Sequence, residues 1–144
     1  MKYYLILFSL YLFSLSGNAQ KFQGTYGTNS EDSFNAIIEL PDGNFLIAGH
    51  SSGFSGGADD FILYKITSTG EFISHKAFGS LNSETIEELV LLENGDIAFL
   101  GYSNSYTPTG DLNLFYGVMS ANLDIIWSKQ TTSTGSETAK DLIE

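Results

Sequence analysis

Two adjacent carboxylates, Asp59 and Asp60, follow the loop Ser55-Gly56-Gly57-Ala58. Hard oxygens on a glycine-rich turn are what Ca²⁺ takes as ligands, so this pair is the candidate metal site. The spacing of an EF-hand loop is missing, and so is the glycine-rich nonapeptide that binds Ca²⁺ in parallel β-helices. The competing reading is structural: an Asp ahead of a strand accepts hydrogen bonds from loop N–H groups. The two histidines, His50 and His75, each lack a second His or Cys at ligand spacing, and the chain has no Cys, which argues against zinc. Without zinc, His50 is expected at a loop edge and His75 on the solvent side of a strand.

Other chemistries find less. There is no Gly-x-Ser-x-Gly elbow, and no Gly-Lys-Ser/Thr follows Gly24-Thr25-Tyr26-Gly27 to make a phosphate loop. Seventeen acidic residues make chance carboxylate pairs inevitable, so their presence alone does not argue for glycoside hydrolysis. The expectation is no catalytic residue and no cofactor, with Ca²⁺ the one ion the residues suggest.

These residues sit in a chain that repeats itself. Gly27 recurs as Gly79, Asp42-Gly43-Asn44 as Asn94-Gly95-Asp96, and Gly49 as Gly101, all 52 residues apart. Beyond Gly101 the offset is 53: Lys76 recurs as Lys129 and Ser83-Glu84-Thr85 as Ser136-Glu137-Thr138. The extra residue falls between Ser103 and Asp111, in a stretch of Asn, Ser, Thr, Pro and Gly that reads as a loop. A fixed period of this size marks a repeat architecture whose units bury a shared core by stacking.

Each repeat holds four short apolar segments divided by turn signals. In the first they are Phe34–Leu40, Phe45–Gly49, Phe61–Ile66 and Phe72–Phe78. Pro41 presets φ for the second position of a type I turn, and Gly43 tolerates the positive φ that closes it. Asn94-Gly95 serves the second repeat. Ser83–Asn94 alone could be a helix, with Thr85 and Glu88 as a capping box and Ile86, Leu89 and Val90 on one face. Its counterpart, Ser33–Gly43, has adjacent isoleucines and a proline and is a poor helix. Equivalent positions share structure, so strand is expected in both.

Four antiparallel strands per 52–53 residues is the arithmetic of a β-propeller blade. The fold class is therefore all-β, with four-stranded meanders in an incomplete ring. The boundaries are an outer strand at 20–26, blade one at about 27–78, blade two at about 79–131, and the start of a third at 132–144. In such a meander one rim collects 28–32, 50–60, 80–84 and 103–111. That rim is polar and acidic, and Asp32, His50, Asp60, Glu84 and Asp111 are its candidate ligand residues. Trp127, in repeat register with Phe22, reads as blade packing and not as a sugar platform.

The chain also resembles a known family. Gly79, Ser83-Glu84-Thr85, Leu92-Glu93-Asn94-Gly95-Asp96 and Ile126-Trp127-Ser128-Lys129 look like the repeats of secreted Bacteroidetes-type β-propeller proteins. Gly56-Gly57-Ala58-Asp59 and Lys65 match the same pattern. Departures are Ser74 where the pattern has Trp, Val118 for Lys65, and Gly79-Ser80 for the double Gly. The resemblance implies a propeller and export, and it brings no catalytic residue with it.

Residues 1–20 fit an export leader. Lys2 is followed by an uncharged apolar run from Leu5 to Leu15, then Gly17-Asn18-Ala19, with cleavage expected after Ala19 or Gln20. Eleven residues are too few to span a bilayer. Beyond them stand five Lys, no Arg and 17 acids, a net charge of −12, which repels phosphate backbones and excludes nucleic acid as a partner. The absence of Cys means an exported domain without disulfides. The sequence thus leads to a secreted or cell-surface, non-catalytic binding or scaffold module with a protein or glycan ligand. The further blades of its ring are expected to lie beyond Glu144. The alternative is part of an extracellular propeller enzyme acting on glycans.

Overall fold

The hairpin signals act as the sequence suggests. In the computed structural model, which describes residues 22–54, 58–105, 107, 109–143, the Gly43 N–H bonds to Leu40 O at 2.9 Å and the Leu40 N–H to Asn44 O at 2.8 Å. Gly43 has φ +77°, the left-handed conformation that seats a three-residue loop between strands. The same pair of bonds, at 2.9 Å each, closes the turn from Leu92 to Asp96. The leader at 1–20 and Gly56-Gly57 lie outside the described residues.

Eight strands follow: β1 (Asp32–Glu39), β2 (Phe45–Ser51), β3 (Asp60–Ile66), β4 (Phe72–Phe78), β5 (Glu84–Leu91), β6 (Ile97–Ser103), β7 (Asn113–Met119) and β8 (Ile125–Gln130). They make two antiparallel meanders, β1-β2-β3-β4 and β5-β6-β7-β8. The described residues contain no helix, so Glu84–Leu91 is a strand despite its capping-box pattern. Residues 22–27 and 137–143 join no strand ladder, so neither the outer strand expected at 20–26 nor a third unit's first strand forms among the described residues. The stretch with the extra residue is the loop between β6 and β7.

The two sheets share irregularities at the repeat spacing. β1 bulges at Asn35, and β5 bulges at Glu87. β4 bulges at Ile73 and β8 at Ile126. Gly49 and Gly101 face the first pair of bulges, where a β-carbon would overlap the carbonyl oxygen of Ser33 or Thr85. The recurring glycine is a close-approach position that lets the bulge form.

One core joins the sheets. Ala36, Leu46, Ala48, Phe61 and Leu63 from the first meet Ile86, Leu89, Ile97, Phe99 and Met119 from the second. Phe61 stacks on Phe115 with centroids 5.0 Å apart and planes at 20°. The bulged Asn35 reaches across, donating to Ile86 O at 2.9 Å and Thr85 Oγ1 at 3.1 Å.

Candidate functional site

The loops between β2 and β3, before β5, and between β6 and β7 gather at one end. Ser52 N bonds to Glu31 O at 2.9 Å, Glu84 N to Asp59 O at 2.8 Å, and Asn104 N to Ser83 O at 3.2 Å. Asp32, Asp60 and Glu84 open their strands there, and His50 stands near the close of β2. His50, Asp59, Glu84 and Tyr102 line a shared cavity of about 190 Å³. His50 Nδ1 contacts Thr85 Oγ1 at 3.1 Å.

The carboxylates face inward, onto the chain's own loops. Asp32 accepts from Thr28 N at 2.6 Å and from Thr28 Oγ1 at 3.0 Å. Fifty-two residues on, Glu84 accepts from Ser80 N at 2.9 Å and from Ser103 Oγ at 3.2 Å, and it also bonds Ser105 Oγ. At the third position of the series, Glu137 accepts from Leu114 N at 3.4 Å and from the Thr131 hydroxyl. Asp111 accepts from Thr109 Oγ1 at 2.6 Å and Gly135 N at 3.1 Å. Asp32 and Glu84 each hold the loop that leads into their own strand, the role expected of acids at strand starts, while Glu137 and Asp111 tie the 131–137 segment to the start of β7 and the loop before it.

Their electrostatics differ. Burial pushes the Asp32 carboxyl up, but the Ser51 hydroxyl and the Thr28 N–H outweigh it and hold it below its ordinary value. For Glu84, only 4% exposed, burial dominates over bonds from Ser80 and Ser103, and with the charge of Asp60 it raises the carboxyl. Asp60 is 6% exposed, and both carboxylates press on Gly79, where a β-carbon would collide with each. The backbone carbonyl of Asp59 accepts from Glu84 N, and the Asp60 side chain is buried. Among the described residues no three His, Asp or Glu side chains converge as a metal site would require.

A second arrangement lies on the other side of the first sheet and was not singled out in the sequence. Tyr64, Phe72, His75 and Phe54 gather there around an open cavity of about 450 Å³, walled also by Thr25 and Tyr26. His75 lies 5.7 Å from Tyr64, 6.0 Å from Phe72 and 5.1 Å from Phe54. The repeat carries the missed signal: the second unit has Gly117, Ile125 and Ser128 where the first has Tyr64, Phe72 and His75.

Among the described residues, no helix is long and apolar enough to cross a membrane. No protein-family model matches the chain, and no curated protein matches it.

Proposed function

We propose that this chain is an exported, non-catalytic binding or scaffold module whose two meanders are successive blades of a β-propeller. The observation that carries this reading is the matched engagement of Asp32 and Glu84. These two acids stand at repeat-equivalent positions and accept from the equivalent loop N–H groups of Thr28 and Ser80, so the carboxylates serve the scaffold. Catalytic acids belong to one site and are not duplicated in two structural units with equivalent loop partners. The bridge from Asn35 to β5 has a counterpart one unit on, where Glu87 pairs with Lys140 at 3.6 Å, as expected of stacked units of one kind. Export rests on residues 1–20, and the ligand is a protein or a glycan.

The test is expression of the full chain in an exporting bacterial host. N-terminal sequencing of the released protein should begin at Gln20 or Lys21. Asp32→Asn and Glu84→Gln should lower the melting temperature and produce no change in turnover of a polysaccharide panel, because none is turned over. An uncut, retained chain refutes export. Hydrolysis abolished by Glu84→Gln refutes the non-catalytic reading.

A further inference from the structure

The two repeat-equivalent hairpin turns carry different chemistry. Asp42-Gly43 is the chain's one Asp-Gly dipeptide and Asn94-Gly95 its one Asn-Gly dipeptide. In both turns the side chain accepts from the backbone two residues on. Asn44 N donates to Asp42 Oδ1 at 3.1 Å, and Asp96 N donates to Asn94 Oδ1 at 3.0 Å. The other side-chain atom is held differently. Asp42 Oδ2 takes the Lys65 ammonium at 2.8 Å, whereas Asn94 Nδ2 donates to Asp96 Oδ2 at 2.8 Å. Val118 fills in β7 the place of Lys65 in β3: Lys65 stands opposite Leu46, and Val118 opposite Ala98.

An Asp or Asn side chain followed by glycine can close on the glycine nitrogen, because glycine has no β-carbon to obstruct the approach. Closure also needs a leaving group on Cγ. The Asp42 carboxyl, held near 2 by Lys65, is ionised at neutral pH and offers none. The Asn94 amide can leave as ammonia, and Asn94 is exposed.

We propose that Asn94 is a site of spontaneous covalent modification, closing on the nitrogen of Gly95. A bond forms between Gly95 N and Asn94 Cγ, the Cγ–Nδ2 bond breaks, and ammonia departs with the proton of Gly95 N. Water then opens the cyclic imide at either carbonyl and leaves aspartate or isoaspartate at position 94. Nothing is oxidised or reduced, and water is the one co-reactant. The turn sets the rate. Gly95 N donates to Leu92 O at 2.9 Å, and Asp96 holds both ends of the Asn94 amide, so closure proceeds from the locally opened turn. Asp96 is a positioning residue that restrains the reaction.

The product fits the turn poorly. A carboxylate at position 94 repeats Asp42, but it meets Val118 where Asp42 meets Lys65, and it lies beside the like charge of Asp96. Isoaspartate also adds a carbon to the backbone inside the turn, which disturbs the bonds of Leu92 to Gly95 and Asp96. The same hairpin brings Leu89 and Ile97 into the shared core, so a change at this exposed turn reaches the packing between the sheets. The inference is independent of the binding-module reading.

The test is incubation of the exported full chain at physiological temperature and mildly alkaline pH. Peptide mapping by mass spectrometry follows the amide at each position, and enzymatic methylation counts isoaspartate. Position 94 should lose its amide well before Asn29 and Asn82, which are exposed and precede serines. Asp96→Ala should speed the loss about fivefold, as expected of releasing one hydrogen bond. Asn94→Gln, which would have to close a larger and less favoured ring, should abolish isoaspartate in this turn and leave the melt of fresh protein unchanged. Aged wild type should melt below fresh wild type, and aged Asn94→Gln should not. Loss at position 94 no faster than at Asn29 and Asn82 overturns the site. Equal rates in wild type and Asp96→Ala overturn the restraint by the turn. Isoaspartate forming at position 42 as fast as at 94 overturns the distinction drawn from Lys65.

Discussion

Glu84 is the residue on which pH should act. Its carboxyl is buried and raised by that burial, with the charge of Asp60 adding to the effect. A carboxyl raised on folding binds its proton more tightly in the native state, so stability falls as pH climbs from the unfolded value near 4.5 through the raised native value. Glu84→Gln should cost stability at acid pH, through altered bonds to Ser80, Ser103 and Ser105, and flatten the decline above that. Urea melts between pH 4 and 8 check this, and an equal slope in wild type and variant would refute it. Asp42 behaves oppositely: its hydrogen bond to Lys65 Nζ, at 2.8 Å, holds it near 2. Its contribution is lost only as pH falls below the ordinary range. At this exposed position it amounts to about 1 kcal/mol or less.

The Asp59-Asp60 pair leads to a second expectation at this scale. Asp60 lies buried against Glu84 and Gly79 inside the rim. A ligand at a hundredfold excess over its dissociation constant stabilises the native state by about 2.7 kcal/mol, a shift of several degrees for a chain this size. Millimolar Ca²⁺ added to chelator-treated protein should leave the melting temperature within a degree. A rise of several degrees, abolished by Asp59→Asn, would restore the site.

At the scale of elements, the β7–β8 hairpin breaks the pattern of its equals. Three turns place Gly43, Gly70 and Gly95 in the left-handed region, while the fourth places Leu123 there with φ 64°. Leu123 is 7% exposed and belongs to the shared core, so burial of its side chain offsets the strain. Left-handed backbone costs an L-residue about 1–2 kcal/mol, and burying a leucine contributes about 1.5–3. Leu123→Ala loses the burial and keeps the strain, about 2–4 kcal/mol. Leu123→Gly loses the burial and relieves the strain, about 1 kcal/mol net. Chemical denaturation should rank glycine above alanine here, the reverse of their order at ordinary strand positions.

Much of this level could be read in the chain. The strands, the turns at Gly43 and Gly95, and the loop holding the extra residue follow from local chemistry that neighbouring units reinforce. The rim was legible as a place, since topology fixes which loops meet. What the rim acids do was not, because Asp32 and Glu84 take their roles from Thr28, Ser51, Ser80 and Ser103, which only folding brings within reach. His75 read as a solvent-facing strand residue, and of its ring partners Phe72 shares its strand while Tyr64 and Phe54 come from β3 and the loop after β2. Residue-by-residue comparison of Tyr64, Phe72 and His75 with Gly117, Ile125 and Ser128 was the one sequence signal that pointed there.

At the scale of the molecule, the question is whether the two sheets are one folding unit or two. Each alone is a four-stranded meander with only one face on the core, and a unit of about 50 residues buries too little surface to stand by itself. The core residues alternate between the sheets, and Phe61 links them through Phe115, which in turn packs on Phe99 at 5.4 Å. Phe61 is 2% exposed and also lies 5.4 Å from Phe78 in its own sheet. Phe61→Ala should cost about 3–5 kcal/mol, a large share of the 5–15 kcal/mol that holds a domain of this size. If the sheets are one cooperative unit, that loss is felt equally in both. Hydrogen exchange on the variant should show β2 and β6 amides losing protection by the same factor, although the substitution sits in β3. Protection lost in β2 with β6 unchanged would mean that the second sheet stands without the first. Stacking would then not be what stabilises the repeat, and the blade reading would lose its physical basis.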